Sequence, residues 1–584
     1  MVFAGGRLSG SLAARFLKLQ YPDKKILIIE KEKEFKWSPG ESTVGVAGIF
    51  MIRDLGLSTY CYQNHLPKNG LRYFFEDSRI DFKVESCSEV GTNMIPVIPT
   101  YQIDRAKFDT DLLKMNAKIG IDILLEADIT NIKVEKNKSH EILIQHLEKK
   151  ISISCEWFVN TAGRNNNIDD LLEKRNPIIS SGDLNTAAAW GRFKNVIDID
   201  NIGSEKWKEK VGFTSRYLST NHFMKEGSWV WAIPIGDDIV SFGIVYDKKY
   251  MAKPIETEKE FLAALNENSF VKKLIIEAEL LDFQFGTQLD YCRENFCFTD
   301  KIAYLGEAYG FIDPFYSPGT DIIARECHLL AHLVSGDENL PHKVKVINKF
   351  MKNEFDFLTL IYKDQYQGFG SFELFNIKSL WDFYAYTNLL VWFFYAKKYS
   401  DFGWIEQSLK NYDATMVLSS AIQSGVIELC KYFKKENKLE NKNISNFSLR
   451  QNRFLIEEKI LHGYRDQESF SNHISLVKLV ISELIEKRFD LPSLTCNKLI
   501  QSHITIPEAS IFKLTRKWFN SFLGKISETL TSELNFPASI EVKIEHLRVG
   551  KFFSEELTKS QVDDVNYLLF EEQENTVERQ LMNS

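Results

Sequence analysis

The chain has 584 residues, of which 44% are hydrophobic and 13% aromatic, and carries a formal charge of −8 at neutral pH. Such a length supports several domains around large cores, and an acidic balance with no sustained basic stripe excludes a nucleic-acid-binding role. Its eight cysteines are scattered without CxxC or zinc spacing, so no metal centre is expected. Free thiols suit a reducing compartment, and with no signal sequence ahead of the first strand the expectation is a cytoplasmic protein.

In chain order, residues 1–4 are apolar and β-prone, Gly5-Gly6-Arg7-Leu8-Ser9-Gly10 forms a glycine turn, a helical run reaches Gln20, and residues 25–30 read as a second strand ending in Glu30. This is a βαβ unit: Gly5, Gly6 and Gly10 allow a tight turn and close approach of a pyrophosphate, and Glu30 stands where a carboxylate accepts from ribose hydroxyls. Arg7 occupies the middle glycine position, where its side chain would crowd a pyrophosphate unless it swings out. The α/β pattern closes near residue 170, after Trp157-Phe158-Val159-Asn160-Thr161-Ala162-Gly163-Arg164, a strand running into another glycine turn. Strands dominate from about 180 to 290, where two runs flank Gly236-Asp237-Asp238 as a hairpin. Trp229 and Trp231 share one face of the first run by two-residue periodicity.

A third strand-to-turn unit follows. Residues 302–305 are apolar, residues 306–319 read GEAYGFIDPFYSPG, and Asp321 opens an amphipathic helix to about His332. Free amides at such a helix start suit a phosphate, a flavin carbonyl or a halide. Residues 339–435 are helical and aromatic. The most apolar stretch, 387–396, is too short to span a bilayer, so no transmembrane segment is expected. Residues 434–448 are polar and Asn/Lys-rich, like a linker. Residues 436–584 have helical periodicity but no chemistry that can be named. His222 and His328 are assigned to structure.

The glycine turn at residues 5–10, Gly40-Glu41-Ser42-Thr43, residues 66–75 (LPKNGLRYFF), residues 101–109 (YQIDRAKFD), residues 160–164, Trp229-Val230-Trp231-Ala232-Ile233-Pro234 and residues 306–319 together resemble the flavin-dependent halogenases, the tryptophan halogenase-like branch of flavoproteins built like aromatic hydroxylases. The resemblance covers most of residues 1 to about 400. It implies an α/β fold with a discontinuous Rossmann-like FAD-binding domain (1–170 and 290–338), an inserted β-rich substrate domain (171–289), an aromatic helical region (339–435) and a C-terminal helical region (436–584).

It implies as well that Gly5, Gly6, Gly10 and Glu30 hold the adenosine half of FAD, with Arg105 along the pyrophosphate or ribityl chain. Gly306 and Glu307 would face the ribityl region, where the class usually has aspartate, and Pro314 and Gly319 would border the flavin ring. Ser317 and Gly319 would bind halide. Lys68 would be the catalytic lysine, presenting electrophilic halogen to an electron-rich carbon, and Trp229 and Trp231 would line the passage to it. A haloamine route needs a lysine whose pKa is lowered by a dry setting, and Lys68 lies between Pro67 and an apolar strand.

The implied cofactor is FAD, delivered reduced by a separate flavin reductase because no second dinucleotide turn is present, with halide as co-substrate. Tyr316 replaces the glutamate of enzymes acting on free tryptophan. The expected substrate is therefore an electron-rich aromatic or acyl-carrier-linked metabolite. Pro318 removes one of two adjacent amides that would hold the halide. The alternatives are a flavin monooxygenase, a reductase of an apolar or polyene substrate, and a flavoprotein relic serving as a binding subunit.

Overall fold

The structure, a computed structural model, describes residues 1–76, 81–93, 95–136, 138–164, 167–179, 184–336, 339–372, much of 375–410, isolated positions from there to 431, and 447–448. The expectations for 436–584 thus lie outside the described residues, apart from 447–448. The chain divides into two compact units, and everything below concerns the first, which comprises Met1–Phe372, Asn388–Tyr412 and Glu440–Ser448.

Its first layer is a five-stranded parallel sheet, in the order Ile302–Tyr304, Phe158–Asn160, Val2–Ala4, Leu27–Ile29, Asp122–Leu124. Each strand is a short, almost wholly buried apolar run, as expected where helices cover a parallel sheet. The helix Leu8–Gln20 packs against Arg105–Lys118 and Gly319–Val334, giving the Rossmann-like arrangement the sequence predicts. A three-stranded antiparallel meander, Ala127–Lys133, His140–His146 and Lys149–Cys155, follows the fifth strand.

The second layer is a nine-stranded, mostly antiparallel sheet built around Thr186–Lys194, Ile239–Asp247, Ser228–Gly236 and Thr220–Lys225. The hairpin at Gly236-Asp237-Asp238 turns through three positive φ angles, +103°, +51° and +59°, the left-handed backbone that two-residue hairpin loops require. Leu71–Phe75, from the N-terminal part of the chain, joins this sheet parallel to Thr220–Lys225. Alternation then sorts the side chains. Phe74, Phe223, Val230, Phe242 and Ile244 face a core closed by Phe261, Leu265, Phe270 and Leu274 of two short helices. Their neighbours Tyr73, His222, Trp229 and Trp231 point to the other face.

Among the described residues no helix is long and apolar enough to cross a membrane, and no group of His, Cys, Asp or Glu could hold a metal ion. The six described cysteines are free.

Candidate functional site

Three adjacent strands of the parallel sheet end in the three glycine turns, which places the turns side by side. Gly5 has φ +109°, and a Cβ there would meet the Thr161 carbonyl oxygen at 2.7 Å. A Cβ on Gly10 would stand 2.0 Å from the Gly5 carbonyl oxygen, so only glycine lets the first helix approach the strand end this closely. Gly306, at φ +63°, abuts the first turn: a Cβ there would lie 2.7 Å from Cβ of Ser9. Thr161 binds the first and second turns together, its hydroxyl donating to the Ala4 and Gly5 carbonyls at 2.9 and 2.8 Å.

Glu30 is buried at the end of its strand and accepts from the amides of Gly6 and Glu32, at 2.7 and 2.9 Å. Its fixed carboxylate keeps lone pairs for a further donor. Arg7 does not crowd this cradle. With φ −74° its backbone needs no glycine, and its guanidinium turns out over the Phe35 ring, 5.3 Å from the centroid, and donates to the Lys36 carbonyl at 3.3 Å.

Arg105 opens a helix capped by Asp104, whose carboxylate accepts from the amides of Ala106 and Lys107. The Arg105 fork is committed to Asp109 at 3.0 and 2.9 Å and to the Pro39 carbonyl at 2.7 Å, which leaves two of its five N–H groups for a ligand. The Glu307 side chain is exposed beside Gly306, while its carbonyl accepts from the Tyr291 hydroxyl.

Lys68 is held at the other side of the motif. Leu66–Pro67 pairs antiparallel with Tyr101–Gln102, and the Lys68 amide donates to the Thr100 carbonyl at 2.7 Å. Its side chain is only 3% exposed. The amine donates to the Ser42 hydroxyl at 2.7 Å and the Thr43 carbonyl at 2.9 Å. Burial pushes its pKa down to about 7, against the opposing field of Asp321. An amine in this state populates both neutral and charged forms near neutral pH.

The motif 306–319 reaches this amine through Ser317, whose hydroxyl donates to the Ser42 hydroxyl at 3.0 Å. Pro318 starts the helix Gly319–Val334 with φ −76°. The missing N–H of Pro318 costs the helix nothing at its first turn, where amides have no intrahelical acceptor. The Gly319 amide follows, and a Cβ on that residue would meet no atom within 4 Å.

An aromatic wall adjoins the lysine. The Trp229 and Trp231 rings lie 5.8 Å apart, and the strand carrying them packs against the Leu66–Pro67 ribbon. Trp229 meets Phe315 of the motif edge-on at 5.0 Å, and His222 stacks on Tyr73 at 4.6 Å. Gly243 makes room for Trp231, since a Cβ there would sit 2.2 Å from the indole.

Trp229 Nε1 donates to the Tyr366 hydroxyl at 3.1 Å, and that hydroxyl donates to the Asp313 carboxylate at 2.7 Å. Burial pushes the Asp313 pKa up to about 6. His222 is fully buried, with its pKa pushed down to about 3 by desolvation, so it is neutral. His328 stands between Asp54 and Ser400, at 3.2 and 2.9 Å. Tyr316 is half-buried against Phe315 and accepts from Gln365 Nε2 at 2.7 Å.

Ser42 carried a signal, since it stands in one of the quoted motifs, but spacing alone assigns it no partner. Asp313 carried the same kind of signal. Gly243, Gln365 and Tyr366 carried none, for their contacts are fixed only by the fold.

A sequence profile described as tryptophan halogenase matches residues 79–367. The flavin-dependent halogenase chlA of Dictyostelium discoideum is 27% identical over 366 residues, 57% of this chain and 59% of that protein. The chain thus spans about three fifths of that relative's length. The 1H-pyrrole-2-carbonyl-[peptidyl-carrier protein] chlorinase of Pseudomonas fluorescens is 22% identical over 398 residues, 62% of this chain and 83% of that one. The halogenase PltM, solved in complex with phloroglucinol and FAD, superimposes with a TM-score of 0.60 at 16% identity, covering 86% of this chain and 99% of that one. The profile match and these relatives, on a chain that also carries the glycine-lined strand ends and the tryptophan strand, support the flavin-dependent halogenase family.

Proposed function

We propose that this chain is an FAD-dependent halogenase that acts on an electron-rich aromatic or carrier-linked substrate other than free tryptophan. The observation that carries the reading is the buried Lys68 amine, titrating near neutrality and linked through Ser42 to Ser317 of the motif. The glycine cradle fits the cofactor, since Gly5, Gly10 and Gly306 leave the strand ends bare of side chains. Gly5, Gly6, Gly10 and Glu30 would hold the adenosine half, Arg105, Gly306 and Glu307 the ribityl region, and Pro314 and Gly319 the ring. When bound and reduced, the flavin supplies hypohalous acid from dioxygen and halide.

The protein's own groups do the rest. The amide of Gly319 would hold the halide, joined by Ser317 only when its single hydroxyl proton turns from Ser42 to the anion, and Pro318 contributes no donor. Trp229 and Trp231 exclude water along the passage. Lys68 retains the electrophilic halogen, as a hydrogen-bond donor when charged or as a nucleophile when neutral, and presents it to the substrate carbon. Tyr316 offers a phenol where a glutamate would be needed for free tryptophan. That substitution, and the carrier-linked pyrrole named for one relative, support the substrate class.

The test supplies a flavin reductase, FAD, NADH and bromide or chloride, with a panel of phenols and pyrroles. The expected result is a halogenated product that falls by about 10³-fold in Lys68→Ala while flavin binding is retained. Equal product from wild type and Lys68→Ala overturns the reading.

A further inference from the structure

The Ser42 hydroxyl gathers three partners: Lys68 Nζ at 2.7 Å, Thr220 Oγ1 at 2.8 Å and Ser317 Oγ at 3.0 Å. A hydroxyl has one proton and two lone pairs. Lys68 and Ser317 both donate into Ser42, which fills its lone pairs, so its single proton goes to Thr220. Thr220 in turn faces Gln102 Oε1 at 3.5 Å. Ser42 is thereby kept an acceptor toward the amine.

The second acceptor, the Thr43 carbonyl, has no proton to give. Two of the four tetrahedral positions on Nζ are therefore pinned by acceptors and one is the chain itself. The fourth holds a proton when the amine is charged and its lone pair when it is neutral. Either way it points in one direction set by Ser42 and Thr43.

Resting on the halogenase reading, we infer that Ser42 is a positioning residue for Lys68: with Thr220 holding its proton, its hydroxyl pins one N–H and aims the reactive position of the amine. The arrangement draws on distant parts of the chain, Thr220 lying 178 residues and Ser317 275 residues from Ser42. Ser317 adopts φ +56°, a left-handed backbone that a serine occupies at a cost a glycine would avoid. Its hydroxyl contact to Ser42 gives a reason for a serine there. The titratable groups facing the amine are Asp321 on the motif helix, held by the Ala47 amide at 2.7 Å, and the neutral His222 on the strand beside it. Neither belongs to the Ser42 hub, so its variants leave both in place.

The experiment reads the amine without the reaction. Flavin-free protein is exposed to cyanate from pH 5 to 9, and carbamylation of Lys68 is followed by peptide mass spectrometry, since only the neutral amine reacts. Wild type should react with a midpoint near pH 7. Thr220→Val, close to isosteric, frees the Ser42 proton to turn onto the amine lone pair, and should slow carbamylation at pH 8 at least fivefold. Ser42→Ala should lower kcat for halogenation about tenfold with KM unchanged, and Ser42→Thr, which keeps the hydroxyl, should recover most of it. Wild-type carbamylation rates and midpoint in both Ser42→Ala and Thr220→Val overturn the inference, as does a wild-type Lys68 that does not react at pH 8. If the variants shift carbamylation as expected but no protein halogenates anything, the positioning role stands and the halogenase reading falls.

Discussion

The cradle at the strand ends and the chamber around Lys68 are built by different means. The cradle is made of backbone: Gly5, Gly10 and Gly306 matter for the side chains they lack, and the contacts that forbid a Cβ are mostly to carbonyls and to the neighbouring turn. The chamber is made of side chains that arrive from separate segments: Ser42, Lys68, Thr220, Trp229, Ser317 and Tyr366. A backbone site tolerates changes in the side chains around it and no change at its glycines. A side-chain site depends on each hydroxyl and ring.

The sharpest way to break this contrast is Gly10→Ala. Its new Cβ would lie 2.0 Å from the Gly5 carbonyl oxygen, a backbone atom that cannot retreat without moving the turn, and 2.8 Å from Thr161 Oγ1. FAD affinity, followed by flavin fluorescence quenching, should fall at least about 100-fold, roughly 2.7 kcal/mol. Unchanged affinity would mean that the turn is not the cradle.

A smaller effect separates the chamber. Burial lowers the Lys68 pKa from 10.5 to about 7, so folding disfavours the proton the unfolded chain would carry. The stability present above pH 10.5 is lost as pH falls through that window and levels off below about 7. Melting curves of Lys68→Met should therefore show an advantage over wild type that grows from pH 10 to pH 7 and then stays constant. A difference that does not vary with pH would place the amine in water.

The smallest effect is expected at Arg7, whose side chain is engaged by Phe35 and Lys36. Arg7→Gly should change FAD affinity by no more than about twofold. A tenfold change would bring the guanidinium back to the cofactor.

The same contrast explains what could be read from the sequence. Glycine turns after apolar runs are local, and the strand ends at Ala4, Asn160 and Tyr304 follow from a few neighbouring residues. The tryptophan strand was legible because its two-residue period separates Trp229 and Trp231 from Val230 and Ala232. Lys68 was legible only through its motif, since nothing near it in sequence foretells a cage made by Ser42 and Thr43. The bond from Tyr366 to Asp313 spans 53 residues and leaves no periodic trace. Pro318, which offers no amide to an anion, also stands where a helix starts, a place that suits its missing N–H.

The pairing of Phe158 with Ile302 has a consequence for how the chain is made. As the polypeptide emerges from the ribosome, the Phe158–Asn160 strand waits with one open edge until the whole intervening sheet has been synthesised. An unpaired strand edge in a nascent chain is an aggregation hazard. The inserted β layer therefore has to fold promptly, and mutations that slow it should lower the yield of soluble protein before they alter any property of the finished molecule.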